Sequence, residues 1–318
     1  MGSTLRVIFL LLPDLEILDL AGPLQAFDEA QRAGADLRVH LGSPQPRLRT
    51  DQGLWLAELE PLPEPAAGDL IVVPGLRFAA VEAVPASVLA WLREAHEREA
   101  QLASICTGAF VLGRAGLLKG RQCTTHWSRI EDLQRRFPTA RVLENRLFVH
   151  DGPVTTSAGI ASGIDMALAL LDRRFGPLLV AAVAREMVVY LRRDGSHRQQ
   201  SVYLDYRTHL HPGVHRVQDW LVANPAERAN LADLARLAAL SPRHLTRMFR
   251  QATGVSVQEF TTRLRLELAR GLLHDPRLTV DGVAARCGFG SARQLRRLWR
   301  EVYGTSPGTE RTHRIAVM

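Results

Sequence analysis

The final third of this chain is written twice. Ala235, Arg236, Ser241, Arg243, Leu245, Arg247, Arg250, Gly254 and Ser256 recur as Ala285, Arg286, Ser291, Arg293, Leu295, Arg297, Arg300, Gly304 and Ser306, at a constant offset of fifty residues. His244 answers to Gln294, Met248 to Leu298 and Phe249 to Trp299. One register held through nine identities in twenty-two residues requires a single small unit built twice.

Each copy reads as a helix, a turn and a second helix. In the first, Asn230 is the expected N-cap and Asp233 suits the positive helix start. Leu231, Leu234, Ala235 and Ala238 then form one apolar stripe. Ser241-Pro242 opens the next helix, which turns Leu245, Met248, Phe249 and Ala252 inward. Arg243, His244, Thr246, Arg247 and Arg250 are left outside. The second copy has Ala284 and Ala285 in its first helix, a turn at Gly288–Ser291, and Leu295, Leu298, Trp299 and Val302 inward. Arg293, Gln294, Arg296, Arg297 and Arg300 face out. Such side chains bond guanine edges, adenine edges and phosphates, so paired helix-turn-helix units reading two successive major grooves are expected.

Charge points the same way. Residues 213–318 carry 17 Arg against nine Asp and Glu, net +8, whereas residues 1–212 carry 23 Lys and Arg against 24 acids, net −1. Arginine supplies 39 of the 40 basic residues, but a coding preference would enrich the whole chain evenly. The asymmetry marks a nucleic-acid-binding third.

The phrase Ala285-Arg286-Cys287-Gly288-Phe289-Gly290-Ser291, with Arg296-Arg297-Leu298-Trp299-Arg300 and Gly304-Thr305-Ser306-Pro307, resembles the C-terminal signature of the AraC/XylS family of transcription regulators. Gly290 stands where that family often has serine. The resemblance implies a rigid helix, here Val257–Leu273, holding the two reading helices ~34 Å apart.

At 318 residues, a further domain is expected in front. Three scattered cysteines, Cys106, Cys123 and Cys287, make no disulfide framework and suit a reducing cytoplasm. No leader and no membrane span are expected, since Arg185 and Glu186 break the apolar run near 178–191. The stripe Leu178, Val180, Val183, Met187, Val188, Leu191 reads as core or as a dimer face. His209, His211 and His215 lie close together without a ligand pattern, so no metal is expected.

Residues 1–192 alternate strands and helices. Strands are expected at Leu5–Leu12, Leu37–Leu41, Leu70–Val73, Leu102–Ile105 and Val154–Ser157. Helices are expected from Gly22-Pro23 to near Gly34, at Ser87–Glu99, at Ala109–Ala115 and from Ala161 to Arg173. This pattern predicts a doubly wound α/β domain with a parallel sheet, whose ligands bind beyond the carboxyl ends of the strands. Cys106 falls at such an end, on a strand-to-helix turn expected to lower its pKa.

Ile105-Cys106-Thr107-Gly108-Ala109, Thr124-Thr125-His126-Trp127 and Ser157-Ala158-Gly159-Ile160-Ala161-Ser162-Gly163-Ile164-Asp165 resemble the PfpI-like, class I glutamine-amidotransferase-like superfamily; Asp19-Leu20-Ala21-Gly22-Pro23 resembles its first loop. The resemblance implies that Cys106 is the elbow cysteine, Asp19 the acid facing it, Gly75 and Thr107 backbone donors near the sulfur, and His126 the nearby histidine. Thr107 replaces the histidine that protease members place after the cysteine, and Leu76 replaces a second glycine. Two readings follow. One is a transcription regulator that senses a small molecule or a redox state and dimerises. The other is a cysteine-dependent isocyanide hydratase or amidase fused to a DNA-binding domain.

The regulator reading covers the whole chain. It sets a sensor and dimerisation domain at 1–192, a linker at 193–212 and a double helix-turn-helix domain at 213–318. Promoter DNA, an effector, a second copy and, for an activator, RNA polymerase are the expected partners. No cofactor, confident catalytic residue or membrane partner is expected.

Overall fold

The computed structural model describes residues 4–159, 161–189, 193, 195, 199, 206–207, 209–227, 229–273 and 277–309. The chain divides into two compact units, Met1–Gln199 and Gln200–Met318.

The first unit runs β1 (Leu5–Leu10), α1 (Ile17–Arg32), β2 (Leu37–Gly42), β3 (Arg47–Arg49), β4 (Trp55–Ala57), β5 (Leu70–Val73), α2 (Ala86–Glu97), β6 (Gln101–Ile105) and α3 (Gly108–Arg114). It continues through β7 (Gln122–Cys123), α4 (Ile130–Arg136), β8 (Arg141–Val142), β9 (Phe148–Asp151), β10 (Val154–Ser157), α5 (Ala161–Phe175) and α6 (Pro177–Glu186). The main sheet has the order β2-β1-β5-β6-β10-β9. All its neighbours pair in parallel except β10 with β9, so the sheet is mostly, not wholly, parallel. Val7–Leu10, Leu70–Val73 and Leu102–Ile105 are buried at every residue, as strands covered on both faces must be. On the helical layers, α1 packs with α5 and α6, and α2 with α3.

Several boundaries differ from expectation. Helix α1 begins at Ile17 and carries Pro23 inside it, so Gly22-Pro23 does not open it. The stripe after α5 divides: Val180 and Val183 are core, while Leu178 and Val188 are exposed; Leu191 lies outside the described residues.

The second unit contains α7 (Pro212–Ala223), α8 (Leu231–Ala238), α9 (Pro242–Thr253), α10 (Val257–Leu273), α11 (Val280–Arg286) and α12 (Ala292–Tyr303). Its sequence sets the ends of these helices locally. Asn230, Ser241, Thr279 and Ser291 each accept an N–H bond three residues on, and Gly254 and Gly304 close α9 and α12 in the left-handed conformation. Two separate cores result. Leu245, Phe249 and Phe260 belong to the first; Leu266, Ala269, Leu295 and Trp299 belong to the second. Helix α10, with the expected bounds, serves both. Leu231 and Val302 depart from the expected stripes and are exposed, because each falls at the rim of its core.

Most of the expected linker 193–212 lies outside the described residues. Several of those that are described are bonded into one unit or the other. Arg193 and Gln199 bond within the first, and Arg207 pairs with Asp219 in the second. His211 caps α7 through Nδ1, and the rings of His209 and His215 lie 4.5 Å apart.

Candidate functional site

Strand β6 ends at Ile105 and α3 starts at Gly108, so Cys106 and Thr107 make the whole turn. Cys106 sits at φ 53°, a region that a residue with a Cβ enters only when its surroundings hold it there. They do so from both sides. The Cys106 N–H donates to Ser157 O at 3.0 Å, and Thr125 Oγ1 donates to Cys106 O at 2.7 Å. Thr107 Oγ1 accepts from Leu76 N at 2.7 Å and donates to Leu76 O at 2.6 Å, locking the loop after β5 to the elbow.

Asp19 is in the first turn of α1, and its Oδ2 accepts the Gly75 N–H at 3.0 Å. A Cβ on residue 75 would lie 2.3 Å from that oxygen and 3.0 Å from Cys106 Cβ. Only glycine allows the three residues to meet. Asp19, Gly75, Thr107 and Cys106 are therefore brought together.

The electrostatics overturn one expectation. Burial pushes the Asp19 carboxyl up to about 7, against the pull of the Gly75 N–H. Burial first, and then the charge of Asp19, push the Cys106 thiol up to about 12; the Thr107 N–H acts the other way and is outweighed. The elbow does not lower the thiol's pKa, because the pocket desolvates the sulfur and the Gly75 N–H is committed to Asp19. His126 is nearby but differently engaged. Its Nδ1 is 2.8 Å from Ser128 Oγ, and burial beside Arg129 lowers its pKa. Gly159 stands between it and the sulfur: a Cβ there would lie 3.2 Å from His126 Cδ2 and 3.4 Å from Cys106 Sγ.

Among the three thiols, burial pushes Cys123 and Cys287 up to about 12 as well, and both are fully buried, whereas Cys106 is partly exposed. Access, not acidity, should decide their order. Competitive alkylation read by mass spectrometry is expected to label Cys106 first, slowly at neutral pH and faster as pH rises; earlier labelling of Cys287 would reverse that order.

Three contacts missed by sequence reading pin the end of the first unit around this elbow. Arg193 makes a two-nitrogen contact with Asp165 on α5, at 2.7 and 3.0 Å. Gly195 O accepts from Leu147 N, whose own carbonyl accepts from Ala158 N beside Gly159. Gln199 Nε2 donates to Thr125 O at 2.9 Å and Arg146 O at 3.1 Å. Thr125 thus holds Cys106 through its side chain and Gln199 through its carbonyl.

The second unit presents a different surface. Arg243, His244, Thr246, Arg247 and Arg250 are all exposed on α9, and Arg293, Gln294, Arg296, Arg297 and Arg300 are exposed at the matching positions of α12. Some are already engaged. Gln294 Oε1 accepts from Gly290 N at 2.8 Å, Thr246 Oγ1 donates to Pro242 O at 3.0 Å, and Arg297 pairs with Glu301 at 2.7 Å.

A cysteine elbow in a mostly parallel α/β unit, followed on the same chain by twin helix-turn-helix units, defines a DNA-binding regulator of transcription. Comparison with known proteins agrees. The DJ-1/PfpI family matches residues 5–173, and a helix-turn-helix domain family matches residues 234–313. The HTH-type transcriptional regulator CdhR of Pseudomonas aeruginosa is 33% identical over 95% of this chain and 90% of its own length. An isonitrile hydratase of Pseudomonas putida is 34% identical, over 54% of this chain and 73% of its own. A ThiJ/PfpI family protein from Pseudomonas syringae shares the fold, with a TM-score of 0.53 at 21% identity, over 75% of this chain and 90% of that one. The chain belongs to the DJ-1/PfpI family, among the members that carry an AraC-type helix-turn-helix domain and regulate transcription. The likeness to the hydratase spans about half of it. No described helix is long and apolar enough to cross a membrane. No group of side chains suited to a metal occurs among the described residues.

Proposed function

We propose that the exposed faces of α9 and α12 read promoter DNA, and that the first unit senses an effector at the Cys106 pocket and joins two copies of the chain in the cytoplasm. The carrying observation is the matched pair of exposed faces: ten residues at equivalent positions, seven of them arginine, on two helices with equivalent caps. Arg243, Arg247, Arg293 and Arg297 contact bases or the phosphates beside them. Replacing one of the four that reads a base with alanine in the full chain is expected to cost about 1–3 kcal/mol of binding and to relax preference at one base pair. Arg311 and Arg314 in the tail should matter less. Equal, uniform losses at all six would leave only generic attraction.

In the first unit, the pocket suits sensing better than turnover. Its thiol is held neutral, and its histidine is turned to Ser128. The hydrogen bonds that Thr125 Oγ1 donates to Cys106 O and Gln199 Nε2 donates to Thr125 O give a change at the elbow a route to the end of that unit. Turnover of an isocyanide or amide that disappears in Cys106→Ala would instead support an enzyme. Sedimentation of the full chain at micromolar concentration should show a dimer, and a monomer would remove the pairing of copies.

A further inference from the structure

The two helix-turn-helix cores touch different stretches of α10, Phe260 and Leu264 on one side and Leu266, Ala269 and Leu273 on the other. Arg265 stands at the changeover. Its Nε donates to Pro225 O at 2.8 Å, its Nη2 to Glu227 O at 2.9 Å and its Nη1 to Gly288 O at 2.9 Å. The first two carbonyls belong to the turn between α7 and α8, and the third to the turn between α11 and α12. One planar guanidinium therefore ties the first copy to the second with three charge-assisted bonds. The backbones meet at the same place. Gly288 lies at φ 74°, and a Cβ on it would fall 2.6 Å from Ala226 O.

The duplication supplies its own comparison. Arg216 on α7 makes the equivalent bonds inside the first copy, donating to Leu237 O at 2.8 Å and Ala238 O at 3.0 Å. Ala238 is the counterpart of Gly288 at the offset of fifty. Arg216 thus closes one copy on itself, whereas Arg265 does this for the second copy and also reaches across to the first.

We propose that Arg265, with Gly288 seated on Ala226, is a positioning residue that sets the separation and phase of the two reading helices, and so the half-site spacing the protein accepts. Helix α10 alone joins the copies end to end and leaves bending and twisting open; the lateral tie removes that freedom. The proposal rests on the reading of α9 and α12 as DNA-reading helices.

The test uses the full-length protein and a duplex it selects from a random pool, compared with the same duplex carrying one or two added base pairs between the half-sites. Each added pair turns the second site by roughly 35° around the DNA axis. Wild type is expected to lose about 30-fold in affinity for one added pair, comparable to a base mismatch. Arg265→Ala should bind the selected duplex more weakly and lose less than about threefold on the insertion. Arg265→Lys keeps the charge but not the fork, so it should be as tolerant of spacing as Arg265→Ala. Arg216→Ala should keep the full penalty, even where it lowers thermal stability. If Arg265→Ala does not fold, Arg265→Lys and Arg265→Gln carry the same comparison. An unchanged spacing penalty in the Arg265 variants, or an equal relaxation in Arg216→Ala, would overturn the proposal. A wild type that binds tightly at every spacing overturns the clamp alone. A wild type with no sequence preference overturns the reading of the helices beneath it.

Discussion

Raising monovalent salt from ~50 to ~200 mM should weaken promoter binding by about 10³- to 10⁴-fold. The expectation comes from the outward arginines of α9 and α12. Counting roughly six to eight phosphate contacts among them gives a log–log slope of about −5 to −7. The charge behind this slope is confined to residues 213–318, with a net +8, while the rest of the chain is close to neutral. Replacing an exposed arginine that touches only phosphate should reduce the slope by about one and weaken all sequences alike. An arginine that reads a base should instead alter sequence preference. Fluorescence anisotropy on a labelled promoter duplex across a salt series measures both. A slope near zero would remove DNA binding by these faces.

The second large effect lies in the first unit. Its stability should fall as pH rises from about 4 to 7, because the folded Asp19 carboxyl keeps its proton up to about 7. The unfolded chain releases that proton near the ordinary carboxylate range, so in this window the native state binds more protons than the unfolded one. Stability therefore declines with rising pH and levels off above the folded pKa. A shift of about three units corresponds to roughly 4 kcal/mol, an upper bound for this one group. Asp19→Asn keeps an oxygen for the Gly75 N–H and cannot ionise. It should match wild type at or below about pH 3.5 and exceed it at pH 8 by several kcal/mol, or ~10 °C in the first unit's melting transition. Parallel pH curves for the two proteins would mean that Asp19 ionises as a solvated carboxylate does.

Much of the fold was legible because its elements carry strong local signals. Leu70–Val73 and Val154–Ser157 are β-rich runs whose bounds agree with the structure, and Ser241 and Ser291 announce their helices by capping them. The misses have physical causes. Pro23 was read as a helix opener, yet it lies inside α1, whose start at Ile17 has no side-chain cap to announce it. The β3–β4 hairpin is three residues per strand, too short for alternation to register. The antiparallel edge β9 did carry a signal, the Gly152-Pro153 turn between two short segments led by β-forming residues, Phe148-Val149 and Val154-Thr155-Thr156. At the elbow, Cys106, Asp19, Gly75 and Thr107 were recognisable from their neighbours in sequence. Their charge states were not, because desolvation depends on what the fold closes over them. Arg265 escaped notice because its counterpart Arg216 is forty-nine residues away and so falls one position outside the register of the repeat.

The left-handed backbone at Cys106 sets stability against sulfur in the evolution of this position. Alanine removes the sulfur but keeps a Cβ at φ 53°, whereas glycine removes both. Comparing Cys106→Ala with Cys106→Gly isolates the strain of the turn, about 1 kcal/mol or more, from any chemistry of the thiol. A lineage that drifted to glycine would gain that increment and lose the most accessible of its three sulfurs. Retention of cysteine at an elbow where glycine is conformationally cheaper would then record selection for the sulfur itself.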